Sequence, residues 1–361
     1  MVRPDRVGDV VLSTPVYHTL KQSLKDCYVG ALVSPYTAPL LKGNPYIDAV
    51  ITDVPGRGGD PFMRKRKEIA SHRFDAALLL MPTKRHAYMM FLAGIPYRIG
   101  VGHILYEVIT LTHGVSRHKY VPLRHESDYM LDLARRIIPR KNGEVQDVWT
   151  QPEIFLSDEE KVRARDFLVK ESLDKNKPVI CIHPGSGHSS PNWEAGRYVE
   201  LAEMLSDSGM QVLVTGSEGE RVFEKTFTSG DRRQVRTAFG KLSLRELAAV
   251  ISQTTVFVSA STGPMHIAAA VGTPTVSMFC PLPACSPKLW GPVGSLTRII
   301  LPPEDFCHTK CPGDPHICTF QSGGEGIRVE TVYDEIMGFL SESEVQHSKD
   351  TSNDYSASNR K

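Results

Sequence analysis

Val256-Phe-Val-Ser-Ala-Ser-Thr-Gly-Pro-Met-His266-Ile-Ala-Ala-Ala-Val-Gly272 is the stretch that decides the fold. Val256 to Ser259 is a short apolar, β-branched run, the pattern of a buried strand. Ser261, Thr262 and Gly263 make a tight turn. Pro264 enters the first turn of a helix, where a missing N–H costs nothing, and Gly272 ends that helix. A strand that feeds a helix through small residues aims several backbone N–H groups at one point, which favours an anion, usually phosphate. Thr262 adds a hydroxyl donor and His266, one turn in, an imidazole. The competing reading is a tight turn with a packed histidine; the residue types favour the anion.

The same strand-to-helix rhythm extends outward in both directions. Val179 to Ile182 and Gln211 to Thr215 read as strands, followed by the turns His183-Pro-Gly-Ser-Gly-His188 and Gly216-Ser-Glu-Gly-Glu220. Helices are expected over Tyr198 to Ser208 and Leu244 to Ile251, with a further strand at Thr275 to Phe279. Ser157 with Glu160, and Ser243 with Glu246, have the spacing of capping boxes.

In the first half, Tyr28–Val33, Ala49–Thr52, Ala76–Met81 and Arg98–Val101 read as strands. Val10–Leu24, Pro35–Lys42, Pro61–His72, His86–Ala93 and Asp128–Ile138 read as helices, and Pro139 to Gly143 as a loop. Such a succession argues for parallel sheets with helices on both faces. The expected fold class is α/β, with two domains in tandem. One spans 1–155 and the other 156–342; the polar stretch 343–361 reads as a disordered tail. In open α/β sheets ligands sit beyond the carboxyl ends of the strands. Two such domains are therefore expected to face a cleft that holds one substrate on each side.

Met1-Val-Arg-Pro-Asp-Arg-Val-Gly8-Asp9 resembles the end of a first strand and its turn. A strand of about five or six residues is usual, so the natural chain is expected to start earlier. The 361 residues exceed a usual single domain. Lys and Arg total 42 against 41 Asp and Glu, and no basic field argues for nucleic acid. No apolar run reaches the roughly 18 residues of a spanning helix, and no secretory segment opens the chain. These features predict a cytoplasmic protein whose seven cysteines are mostly reduced.

Asp9 follows the first strand and precedes a helix. It can serve as a base or as a helix N-cap; a helix start favours its ionised form, so as a base it would work by positioning. Ser186, in the turn after Val179–Ile182, can donate to phosphate. Glu220, at another strand end, can hold ribose hydroxyls or answer a helix dipole. Leu242 can line a base. Trp193 reads as a packing residue. Cys307, Cys311 and Cys318 form C-x3-C-x6-C beside His308 and His316. The two-residue gap of zinc ribbons is missing, so thiols without metal are expected. Arg64-Lys-Arg-Lys67 is a charge run on a helix, a solvated face or a guide toward an anionic headgroup.

Taken in order, these motifs resemble glycosyltransferase family 9, the ADP-heptose:lipopolysaccharide heptosyltransferases. The resemblance rests on Arg3-Pro-Asp-Arg-Val-Gly8-Asp9-Val-Val-Leu-Ser-Thr-Pro15, Gly43-Asn-Pro-Tyr-Ile-Asp48, Phe74-Asp75, His183-Pro-Gly-Ser with Asn192-Trp193, Thr215-Gly216 with Glu220-Arg221, Gly240-Lys-Leu-Ser-Leu244 and Ser261-Thr-Gly-Pro-Met-His266. It implies a GT-B fold of two Rossmann-like domains, with the acceptor on the first and a nucleotide-sugar on the second. It implies inverting transfer of a heptose or similar sugar from an ADP-sugar, with no cofactor and no metal. The implied acceptor is a lipid-linked glycan, the lipopolysaccharide core, at the cytoplasmic face of the inner membrane. By that resemblance Asp9 is the general base, Thr262, Gly263 and His266 hold the diphosphate, Glu220 the ribose and Leu242 the adenine edge, with Ser261 also in the donor site. Two positions depart from the family pattern. Ser261 stands where an Asp precedes Thr-Gly, and Pro191-Asn192 stands where some members carry a donor-contacting Lys. The rival expectations are a family 9 enzyme with another donor or acceptor, and a catalytically silent nucleotide-sugar binder.

Overall fold

The computed structural model describes residues 1–342 apart from 57, 102–103, 117–120, 122, 139–148, 175, 188–189, 229–233 and 323. The loop expected at Pro139–Gly143, His188 of the first glycine turn and the tail 343–361 lie outside the described residues. The chain divides into two units. One comprises Met1–Asp158 with Leu282–Gly294; the other comprises Glu159–Pro281 and the chain from Ser295 onward.

The first unit carries β1 (Gly30–Val33), β2 (Ala49–Thr52), β3 (Ala76–Leu78), β4 (Tyr97–Gly100) and β5 (His113–Gly114). β1 pairs with β2, and β3 with β4 and then β5, all in parallel. Residues 1–3 join these two ribbons. Val2 bridges in parallel to both Leu32 and Leu79, with Arg3 N–H donating to Leu32 O at 2.9 Å and Leu80 N–H to Val2 O at 3.1 Å. The spatial order is therefore β2, β1, residues 1–3, β3, β4, β5. Alternate residues face opposite sides. Ala31, Val33, Leu78 and Leu80 pack with Val10, Val16, Tyr17 and Leu131 on one face. Leu32, Ala77 and Leu79 pack with Ile69, Met89 and Met90 on the other.

The second unit has β6 (Val179–His183), β7 (Gln211–Gly216), β8 (Val235–Phe239), β9 (Val256–Ala260), β10 (Thr275–Met278) and β11 (Thr297–Ile300). Its order is β11-β10-β9-β6-β7-β8, with every pairing parallel. The two orders are the same: the first strand is central, two follow on one side, and the chain then returns to the other side. Each sheet thus has a switch point between its first and fourth strands, where the loops part and a crevice opens.

Several local expectations are corrected. The helix expected over Val10–Leu24 is two helices, Val7–Leu12 and Thr14–Ser23. Pro15 sits in the first turn of the second and cannot donate to a continuous helix. Pro35–Lys42 supplies only a 3-10 turn, Ala38–Leu41, and the helix expected at Asp128–Ile138 is Glu126–Ala134. β5, β8 and β11 are additional to the strands expected, as is the short antiparallel pair Gln321–Ser322 and Glu325–Gly326. Leu244–Ile251 is helical as expected, and its Ser243–Glu246 capping box is formed. Glu160 pairs with Arg245, at 3.1 Å to Nε and 2.8 Å to Nη2.

Candidate active site

The donor-side candidates all follow the carboxyl ends of four adjacent parallel strands. Ser186 lies after β6, Glu220 after β7, Leu242 after β8, and Ser261, Thr262, Gly263 and His266 after β9. Ser190 Oγ donates to Ser261 O at 2.7 Å, so the loops after β6 and β9 are tied across the switch point. Asn192 fixes the first of these loops. Its Nδ2 donates to Pro184 O at 2.6 Å, while Tyr198 Oη donates to its Oδ1 at 2.7 Å. Trp193 is buried, edge-on to Tyr198, with Nε1 donating to Ile327 O at 3.2 Å. It packs, as its sequence context predicts.

After β9 the chain enters the helix Gly263–Ala270, with Thr262 as N-cap and Pro264 in the first turn. Thr262 makes no side-chain cap; its Oγ1 lies 3.2 Å from Ser259 Oγ instead. The first-turn N–H groups are thus left by the cap residue as donors, the arrangement that receives an anion. His266 is buried one turn in, and Ser261 and Gly263 are half-buried.

Glu220 stands in the 3-10 helix Glu218–Phe223. Its Oε2 accepts from both the N–H and the Oγ of Ser217, each at 2.8 Å, so it closes a capping box. The same oxygen is 3.8 Å from His183 Nε2. Burial lowers the His183 pKa and outweighs the opposing pull of Glu220. Burial thus favours the neutral imidazole beside the carboxylate. Gly185 makes this approach possible, because a Cβ there would collide with the Glu220 carboxylate. Leu242 is half-buried just ahead of the Ser243 cap.

Asp9 occupies the corresponding place in the first unit, after the first strand. The N-cap of its helix is Arg6, so Asp9 sits in the first turn and is not the cap. Its carboxylate is hydrogen-bonded to Arg3 Nη2. Arg3 is almost fully buried; its Nε lies 3.1 Å from Asp5 and its Nη2 3.6 Å from Glu126. Arg3 Nη1 donates to Leu80 O at 2.9 Å, which ties the loop after the first strand to the segment after β3. Burial works against the guanidinium charge, but Asp9, Asp5 and Glu126 outweigh it and raise its pKa. One cation facing three acids leaves a negative excess. Burial first, offset by Arg3 and reinforced by Asp9, pushes the Asp5 pKa up to about 6. The sequence marks Asp9 but not this group: Arg3 and Glu126 are far apart in the chain, and only the sheet brings them together.

Cys307, Cys311 and Cys318 are thiols, and burial raises the pKa of Cys307 and Cys318. Among the described residues no group of His, Cys, Asp or Glu is disposed to hold a metal ion. No described helix is long and apolar enough to cross a membrane.

The sequence pattern of glycosyltransferase family 9 (heptosyltransferase) matches residues 62–313, more than half of the chain. Lipopolysaccharide heptosyltransferase 2 of Escherichia coli is 26% identical over 309 residues, covering 83% of this chain and 86% of that protein. Among solved structures, the glycosyl transferase family 9 protein of Veillonella parvula matches with a TM-score of 0.78 at 20% identity, over 94% of this chain and 96% of that one. The Escherichia coli ADP-heptose lps heptosyltransferase II matches with a TM-score of 0.74 at 22% identity, over 95% and 98% of the two chains. At these identities the structural likeness speaks for the fold alone: α/β with parallel sheets, as in the GT-B heptosyltransferases.

Proposed function

The chain belongs to glycosyltransferase family 9, the heptosyltransferases, and from that premise we propose that it transfers a heptose from ADP-heptose to a lipid-linked glycan, the lipopolysaccharide core, with inversion and without a metal. The observation that carries this is the helix start at Gly263, whose N-cap Thr262 makes no side-chain cap, placed at the switch point of the second sheet. The first unit would take the acceptor and the second the nucleotide-sugar.

In this mechanism Asp9 removes the proton of an acceptor hydroxyl as that oxygen bonds to the anomeric carbon. The bond from that carbon to the diphosphate breaks on the opposite face. The proton ends on the Asp9 carboxylate and the electron pair on departing ADP. Arg3 holds the carboxylate in place. The Gly263 helix start, Thr262 and His266, with Ser186 from the neighbouring loop, stabilise the charge that develops on the diphosphate; fixed donors need no reorganisation as it forms. Glu220 accepts from the ribose hydroxyls, and Leu242 covers the adenine edge. The reaction would take place in the cytoplasm, at the face of the membrane that carries the acceptor.

One observation favours a second reading of the donor sugar. Ser261 replaces the acidic residue expected before Thr-Gly, which removes a charged acceptor for sugar hydroxyls. Calorimetry with ADP, UDP and GDP, and then with their sugars, tests both readings. Selective binding of ADP and ADP-heptose supports heptosyl transfer. ADP binding with preference for another ADP-sugar supports the second reading, and preference for UDP without ADP binding removes both.

A further inference from the structure

The helix Leu105–Ile109 of the first unit is built inside out. Its acid, Glu107, is 1% exposed, whereas Leu105, Val108 and Ile109 are 74%, 62% and 52% exposed. Positions i, i+3 and i+4 share one helix face, so that face is an apolar stripe turned to solvent. Leu111 prolongs it at 69% exposure. Its backbone is left-handed, with φ 51°, at the place after a helix end where glycine is usual because it has no Cβ. A leucine held there in strain, with its side chain in solvent, is not explained by the fold's own packing.

The segment is held firmly. Buried Arg98 donates from Nε to Thr110 O at 3.0 Å and bonds Ile95 O through Nη1. Thr112 N–H donates to Glu107 O at 2.8 Å. The polar side chains are spent on fixing the loop from within. The apolar surface continues through Phe91, whose ring lies 5.2 Å from the Arg98 guanidinium, to Leu92; both are exposed. Arg66 Nη1 donates to Leu92 O at 2.9 Å. That bond joins the patch to the helix Phe62–Ser71, which carries Arg64-Lys-Arg-Lys67; Arg64 pairs with Asp60 and Lys65 with Glu68, which leaves Arg66 and the exposed Lys67 as the excess of positive charge.

We propose that this face, Leu105, Val108, Ile109 and Leu111, with the basic helix Phe62–Ser71 joined to the patch through Arg66 and Leu92, docks the protein on an anionic lipid bilayer. Charge complementarity selects the occupant. Residues 104–112 hold a single acid, Glu107, and it is buried, while the helix Phe62–Ser71 carries Arg64 to Lys67 against the single acid Glu68. Apolar side chains entering the acyl boundary beneath basic groups at the headgroups are the recognised pattern of interfacial binding. The inference deepens the reading of a lipid-linked acceptor. Vesicle binding is read without donor or acceptor, so each can fail while the other stands.

The full chain is sedimented with vesicles of phosphatidylcholine alone and of phosphatidylcholine mixed equally with phosphatidylglycerol. The expected result is binding to the anionic vesicles, reduced by high salt, and about tenfold or more weaker when Leu105→Asp and Ile109→Asp are combined, since two buried aliphatic side chains are lost from the contact. Circular dichroism and denaturant unfolding of the variant, compared with the wild type, check that its first unit is folded. As an independent readout, Leu105→Trp should gain a blue-shifted emission on adding the anionic vesicles. The proposal is overturned if the wild type ignores anionic vesicles and the Trp emission does not move, or if the double variant binds equally. It is also overturned if the face proves to mediate self-association, seen as a dimer in ultracentrifugation that the double variant loses.

Discussion

Asp9 and Arg3 are adjacent in space but differ in what they do. If Asp9 is the base, Asp9→Asn should lower kcat by roughly 10²–10⁴-fold, the range for a positioned acid or base, and leave ADP affinity unchanged. Retained turnover would sink the assignment. Arg3 carries three acids and a carbonyl in a buried setting. Removing one partner of a buried pair leaves uncompensated charge, so Arg3→Met should cost about 3–5 kcal/mol of stability, measured by denaturant unfolding. A cost under about 1 kcal/mol would mean that solvent already screens the group. Asp9 was legible because Gly8-Asp9 stands at a strand-to-helix turn. Arg3 and Asp5 lie in the same short stretch, but Glu126 was not legible, since nothing in local spacing records a contact made from so far along the chain.

At the scale of elements, the informative unit is the loop that leaves a strand. Gly185 shows why such loops carry small residues. Gly185→Ala would push Glu220 from its place beside His183, and the expected result is a raised KM for the donor with kcat much less affected. Gly187→Ala is the informative control: its φ is +53° but no atom lies within 4 Å of the added Cβ, so it should strain the backbone and leave Glu220 where it is. Equal effects of the two on donor KM would count against the Glu220 contact. Helix starts were readable at this scale. Ser243 and Glu246 were identifiable as a cap from their spacing, and both reciprocal bonds form; Ser243→Ala should cost about 1 kcal/mol. β8 was not readable. Val235-Arg-Thr-Ala-Phe239 has a polar interior, and its pairing with β7 is a property of the sheet, not of the segment.

Across the whole molecule, the protonation balance predicts how stability varies with pH. Burial is the main cause lowering the pKa of His86, His125 and His183 from 6.5. Below that value the unfolded chain binds protons that the folded chain refuses, so stability should fall as pH drops through 6.5. Asp5 works in the opposite direction. Its folded pKa, about 6, lies above the ordinary 3.8, so stability is lost as pH rises between those values. Three imidazoles against one carboxyl predict a Tm that declines from pH 7 toward pH 5, and a smaller decline in His183→Gln. A Tm that rises on acidification over that range would contradict the burial of these rings. The α/β class was legible from the succession of segments. The shared strand order was not, because sequence gives the order of strands along the chain and not their order in space.

Residues Leu282–Gly294 are counted with the first unit although the second unit's sequence surrounds them. Trp290 and Val293 pack against the core of Val10, Tyr17 and Leu131, and His125 Nε2 lies 2.9 Å from Gly291 O. During synthesis the ribosome completes residue 158 long before it reaches residue 294; at roughly 5–20 residues per second the interval is on the order of ten seconds. For that time the nascent first unit has an open side that exposes apolar surface. A gene fragment ending near residue 158 would keep that side open permanently. Cutting this protein into its two halves for separate expression therefore requires that the strap be supplied with the first half.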